Sequence, residues 1–261
     1  MNTTPHTQDL LADWQRVVFL HFLVDPDRLR PYVPAPLELE LYEGRGCFSL
    51  VALTMRRFRP CRWASPGWLL RPIARQSFLN FRTYVRRGDE RGALFLHGWL
   101  SQPLPVPLPS GMFGLPYAFA SVDYTDRPGT GAVGGVVRAQ GRPEGFAFRA
   151  PIEACADFEP CAPGSLAEFA MERYTGFFSR RNQVYAFRAW HPPWLQSPLD
   201  LEIKDDSLLS ATFPWFKEAT LAAANFAPGF ERVHLGRARR LEATSTAARS
   251  GHRLSAFYQM P

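Results

Sequence analysis

The chain has 261 residues, 46% of them apolar and 21% charged, with 21 Phe, 8 Tyr and 7 Trp; that suffices for one large aromatic core and excludes a disordered chain. Net charge is +6 with a pI near 9.4, yet Lys occurs only at Lys204 and Lys217. The pairs Arg56-Arg57, Arg86-Arg87, Arg180-Arg181 and Arg239-Arg240 never grow into a run, so the basic balance reads as a solvated surface and not as a nucleic-acid footprint.

Val17–Val24 is a β-branched and aromatic run closed by Asp25-Pro26, and it predicts a strand because Pro lacks a ladder donor. Asp25 then caps a short helix with Pro26 at its first position and Leu29, Tyr32 and Val33 at helical spacing, ending before Pro34. Leu37–Leu41 alternates apolar and acidic residues, and Tyr42–Gly46 turns the chain into Cys47–Met55, a hairpin with one wet face. Arg59–Pro72 is a Pro-punctuated loop around Trp63 and Trp68, either a lid over a pocket or a packed surface loop.

A second hairpin joins Phe78–Val85 to Ala93–Leu100. Its first strand puts Asn80, Arg82 and Tyr84 on one face and Leu79, Phe81, Thr83 and Val85 on the other. If both faces are covered, Arg82 must be paired or bind an anion. The alternating Pro103, Pro105, Pro107 and Pro109 form an extended connector into Gly111–Ser121, where a glycine pair leads through Pro116 to Tyr117.

Phe119–Tyr124 and Phe146–Ile152 read as strands. Gly129–Gly134 matches G-x-G-x-x-G, but Pro128 precedes it and strand-like residues follow, so a dinucleotide site is rejected. Ser165 and Glu168 form a capping box ahead of a helix carrying Leu166, Phe169 and Ala170. Val184–His191 is a strand ended by Pro192-Pro193-Trp194; Leu199–Ile203 and Ser207–Thr212 are expected to be strands, Phe216–Asn225 a short helix, His234–Thr246 the last strand.

About ten strands with few helices predict an α+β, mainly β chain: an antiparallel β-barrel or sandwich with a few covering helices. We expect one domain over residues 1–250 and a tail over 251–261. The cysteines (47, 61, 155, 161) contain no C-x-x-C pair and are expected reduced, and the histidines (6, 21, 97, 191, 234, 252) lack metal-binding spacing. No metal or other cofactor is expected, and no G-x-S-x-G elbow occurs. The start lacks the charge-then-apolar pattern of a signal peptide and no apolar run is long enough to span a membrane, so the expectation is a cytoplasmic protein without nucleic-acid or membrane partners, homo-oligomerisation being open.

Several segments, taken in order, resemble one family: Phe22–Pro26 through Leu29-Arg30-Pro31, then Leu79–Val85, Leu115-Pro116-Tyr117, Glu172-Arg173-Tyr174 and His191–Trp194. Together they resemble the bacterial YqjF-like family, a domain of unknown function related to acetoacetate decarboxylase-like barrels. The resemblance implies that fold, a closed antiparallel β-barrel with a few covering helices and an internal pocket. In the decarboxylases an amine-bearing Lys placed after a Pro attacks a ketone, its pKa lowered by a neighbouring Lys. Here Tyr117-Ala118 follows Pro116, and neither residue can form an imine.

The resulting expectation is a pocket for a small carboxylate or keto compound, lined by Asn80, Arg82, Tyr84, Tyr117, Glu172 and His191. Arg82 and Tyr117 are the expected donors, unless Arg82 is neutralised by Glu172 and Tyr117 is only a packing residue. Glu172 and Arg173 read more readily as a structural pair. The alternative is a lyase or hydrolase using His191 as acid or base, which needs a second titratable group within its reach.

Overall fold

The computed structural model describes residues 8–61, 75–101, 114–126, 131–151 and 157–242. The strands are β1 (Gln8–Val24), β2 (Glu38–Leu39), β3 (Leu41–Tyr42), β4 (Arg45–Pro60), β5 (Arg75–Arg87), β6 (Glu90–Leu100), β7 (Tyr117–Asp126), β8 (Ala132–Ala139), β9 (Gly145–Pro151) and β10 (Glu159–Pro160). They continue as β11 (Thr175–Arg180), β12 (Gln183–Trp190), β13 (Leu195–Pro198), β14 (Glu202–Asp205), β15 (Thr220–Gly236) and β16 (Arg239–Arg240). Three short helices join them: α1 (Pro26–Leu29), α2 (Leu166–Met171) and α3 (Ser207–Thr212), with 3-10 turns at Arg30–Tyr32 and Pro214–Glu218.

The protein is mainly β with few helices. Its sheet runs β14-β9-β8-β7-β6-β11-β12-β15-β1-β4-β5-β2, and β6 also pairs with β5. The longest ladder joins β1 to β15, from Gln8 opposite Gly236 to Leu23 opposite Thr220.

Alternation on the long strands separates two apolar clusters. On one face Phe22, Phe48 and Phe81 pack beneath α3 and the following 3-10 turn, with Phe48 and Phe81 stacked at 4.8 Å and Phe81 on Phe213 at 4.2 Å. On the other face Phe19, Val51, Leu53, Phe78 and Leu100 gather with Met171 of α2 and Trp194. This second face holds the cavity described below. It also receives Trp14, because β1 breaks its alternation at Arg16 (φ 54), where the register with β4 slips between Gln15 and Val18.

Capping follows the sequence. Asp25 Oδ1 accepts from Asp27 N at 2.8 Å, and Ser165 Oγ from Glu168 N at 3.1 Å. Four expectations are corrected. The sheet is not antiparallel throughout, since β6 runs parallel to both β7 and β11. Ser207–Thr212 is helical: its backbone bonds run four residues back, as from the Phe213 amide to the Leu209 carbonyl at 2.7 Å, and it packs Leu208 and Leu209 into the core. The stretch after Glu218 is not a helix despite its alanines; pairing with β1 along its whole length overrides that propensity. The last long strand accordingly ends at Gly236 and is followed by the two-residue β16; residues 243–246 of the expected His234–Thr246 strand lie outside the described residues.

Residues 62–72 of the Pro-rich loop Arg59–Pro72, the connector of Pro103 to Pro109, Cys155 and the expected tail lie outside the described residues. Cys47, Cys61 and Cys161 are free thiols. No helix among the described residues is long and apolar enough to cross a membrane.

Candidate functional site

The site begins with a parity switch in β6. Arg82 on β5 faces Phe95 while Phe81 faces His97, so Leu96 is an extra residue in the ladder. Before this bulge Ala93 and Phe95 share the face of Tyr84 and Arg82; after it Gly98 and Leu100 do, opposite Asn80 and Phe78. Gly98 is therefore placed where a side chain would enter the cavity. A β-carbon there would overlap the Tyr117 ring, which lies across the vacant position and donates its hydroxyl to Asn80 Oδ1 at 2.7 Å. Burial raises the Tyr117 pKa well above that of a free phenol, partly offset by the Arg82 charge, so the proton stays on the oxygen.

Beside this pair lies a cavity of about 90 Å³. Its walls are mostly apolar, including Trp14, Met55, Phe78, Phe95, Phe187 and Leu235, and its polar residues are Asn80, Arg82, Tyr117, Arg173, Tyr174 and Thr175. Arg82 donates through Nη2 to the carbonyl of Ala170 at 3.2 Å, near the end of α2, and its guanidinium lies 5.5 Å from the Phe19 ring centroid. Its Nε is buried without a hydrogen-bond partner, and among the described residues no carboxylate forms an ion pair with it.

Of the expected pocket residues, Asn80, Arg82 and Tyr117 line this cavity, whereas Tyr84, Glu172 and His191 do not. Tyr84 is fully buried in a chain running from its hydroxyl to Ser49 Oγ at 2.5 Å and on to His21 Nδ1 at 2.6 Å. Glu172 does not neutralise Arg82; its carboxylate accepts from the Tyr174 hydroxyl and from the Trp194 amide at 2.8 Å. His191 stands behind the cavity wall, half buried among Trp14, Tyr174, Trp194 and Phe230, with Nδ1 at 2.7 Å from the Pro192 carbonyl. Burial lowers the pKa of His191.

Arg173 is the residue whose role the sequence reading missed. It does not pair with Glu172 but with Glu40, from Nη1 to Oε2 at 2.8 Å, and donates through Nε to the Phe169 carbonyl at 2.5 Å. Its side chain is 2% exposed, and Nη2 is left without a partner. The only available signal was its spacing of four from Phe169, over whose ring it lies at 4.5 Å. Glu40 also accepts from the exposed Arg91. Deeper still, His21 is kept neutral, its pKa lowered to about 3 by burial and by the Arg82 charge.

Neither lysine approaches the cavity: Lys204 and Lys217 are exposed, and Lys204 pairs with Glu202 at 2.5 Å. Among the described residues no group of three His, Cys, Asp or Glu could hold a metal ion.

A family model described as an uncharacterized conserved protein matches residues 11–230. The chain belongs to this family, DUF2071. The uncharacterized protein YqjF of Bacillus subtilis (strain 168) is 29% identical over 200 residues, 76% of this chain and 79% of the relative. Among solved structures the fold is similar to an acetoacetate decarboxylase-like enzyme from Sphingomonas wittichii RW1, at TM-score 0.60 and 16% identity over 92% of this chain and 97% of that one. It is likewise similar to the enduracididine biosynthesis enzyme MppR complexed with pyruvate, at TM-score 0.60 and 16% identity over 94% and 93%. DUF2071 membership and these neighbours agree with the resemblance carried by the sequence motifs; at such identities the structural likeness is one of fold.

Proposed function

We propose that this DUF2071 chain is a closed barrel of the acetoacetate decarboxylase-like kind that binds a small carboxylate or keto compound in the cavity beside Arg82, without a Schiff base. One observation carries the reading: Arg82 is part of the wall of this void, and its guanidinium has a buried Nε without a hydrogen-bond partner and, among the described residues, no carboxylate to balance the charge. An anion in the cavity would recover the desolvation cost of that group.

Closure is supported by the sequence of pairings β1-β4-β5-β6-β11-β12-β15, which returns to β1. Asn80, Arg82 and Tyr117 are the proposed ligand-binding residues, with Tyr84, Glu172 and His191 holding the surrounding wall. Because the Tyr117 proton goes to Asn80 Oδ1, the Asn80 amide NH2 is the donor this pair offers a ligand. Tyr117 stands after Pro116, where the resemblance implies the imine-forming Lys. That a neighbour was crystallised with pyruvate, a small keto acid, fits a pocket of this size and polarity. The lyase or hydrolase alternative has less support, since His191 lies behind Trp14 and Tyr174.

Calorimetric titration with pyruvate and acetoacetate tests the reading. Binding that weakens at least tenfold in Arg82→Met, with borohydride and acetoacetate leaving the protein mass unchanged, supports it. Affinity unaffected by Arg82→Met, or a covalent adduct, overturns it.

A further inference from the structure

Resting on that reading of the cavity, we infer that the occupant is a monocarboxylate with a short apolar tail, and that Arg173 is a second anchor for its carboxylate. Two guanidiniums belong to the wall of the same void, and each has one buried nitrogen without a hydrogen-bond partner: Nε of Arg82 and Nη2 of Arg173. They are held together around one ring, at 6.0 and 5.4 Å from the Tyr84 centroid. Two N–H donors from separate cations suit the two oxygens of one carboxylate.

The buried charges set the valence. Glu40 is shared by Arg173 and Arg91, but Arg91 is 57% exposed and its charge is screened by solvent, so the interior groups Arg82, Arg173 and Glu40 leave a single positive charge at this end of the cavity. One carboxylate neutralises it; a dicarboxylate or a phosphate dianion would bury surplus negative charge. Among the described residues the remaining wall offers no second cationic end, being built from residues such as Met55, Phe78, Phe95 and Leu235. The hydroxyls on the wall are engaged, Tyr117 with Asn80 and Thr175 with Glu90 at 2.9 Å. A chain of a few carbons fits that surface, and each carbon buried there adds to affinity.

Calorimetry on the wild-type protein with acetate, isovalerate, succinate and isovaleramide decides the matter. Isovalerate is expected to bind at least tenfold more tightly than acetate and succinate, on the scale of burying about three further carbons, and isovaleramide at least tenfold more weakly than isovalerate. Acetate or succinate equalling isovalerate overturns the apolar-tail assignment while leaving carboxylate binding intact. Isovaleramide equalling isovalerate, or no carboxylate binding at all, removes the proposed function as well.

The second anchor has its own readout. Arg173→Lys keeps a charge for Glu40 but loses the fork, and should weaken isovalerate at least fivefold. In the folded wild type, nitrogen NMR of arginine side chains should show both the Arg82 and Arg173 guanidiniums shifting on titration. A shift confined to Arg82, or unchanged affinity in Arg173→Lys, overturns the role of Arg173.

Discussion

The Tyr117 hydroxyl reaches Asn80 Oδ1 at 2.7 Å only because Gly98, opposite Asn80 in the β5–β6 ladder, has no side chain in the way. Gly98→Ala should therefore force the ring out and cost about 1–3 kcal/mol, the usual penalty of overpacking. Urea unfolding measures it, and Tyr117→Leu in the same chain should recover part of the loss. A fully stable Gly98→Ala would show that the ring has room to spare.

Tyr117→Phe keeps the ring and removes its bond. The Asn80 carbonyl then stays buried without a donor, for which about 1–3 kcal/mol of stability should be lost. Adding Asn80→Leu removes the stranded acceptor too, so the double variant should be more stable than the single. Strictly additive losses would mean the two side chains are not coupled.

Acid should weaken the fold through His21. Its pKa is about 3 in the native protein and about 6.5 in the unfolded chain. Above pH ~6.5 neither state holds the proton; between there and pH 3 only the unfolded state does, so stability falls as pH falls, by up to about 1.4 kcal/mol per pH unit. His97 and His191, also lowered by burial, add to the same slope. Thermal melts of His21→Gln should show a shallower decline than wild type over this range, and parallel curves would contradict the assignment.

Glu40 is the carboxylate that keeps Arg173 tolerable in the interior. Glu40→Ala leaves that cation unpaired and should destabilise by on the order of 3 kcal/mol in denaturant titrations. Arg173→Met placed beside it should restore much of the loss, since the buried charge then goes as well. No recovery would mean that Arg173 contributes mainly through its Phe169 contacts.

What the sequence made legible was whatever alternation and capping encode locally. Asn80 and Arg82 share the cavity face as read from Phe78–Val85, and Ser165 and Glu168 open α2 as expected. The bulge at Leu96 carries no Gly or Pro to mark it, so the change of face along β6 was invisible, and with it the reason Gly98 meets Tyr117. Tyr84 lies on the expected face of β5, but Ser49 and His21 engage it away from the void. Arg173 was read with its neighbour Glu172; its true partner, Glu40, comes from a segment distant in sequence. β15 was misread for the same reason: its strand state is imposed by β1, from the other end of the chain.

That last pairing has a kinetic consequence. Phe19 sits opposite Asn225 and Gln8 opposite Gly236, so the ladder with the most closure entropy to overcome joins the two ends of the described chain. A partly folded molecule with only its local hairpins formed would lack the walls supplied by Trp14 and Leu235. Occupancy of the cavity would thus report completion of the whole topology, and a bound ligand would slow unfolding of the molecule as a unit instead of stiffening one corner of it.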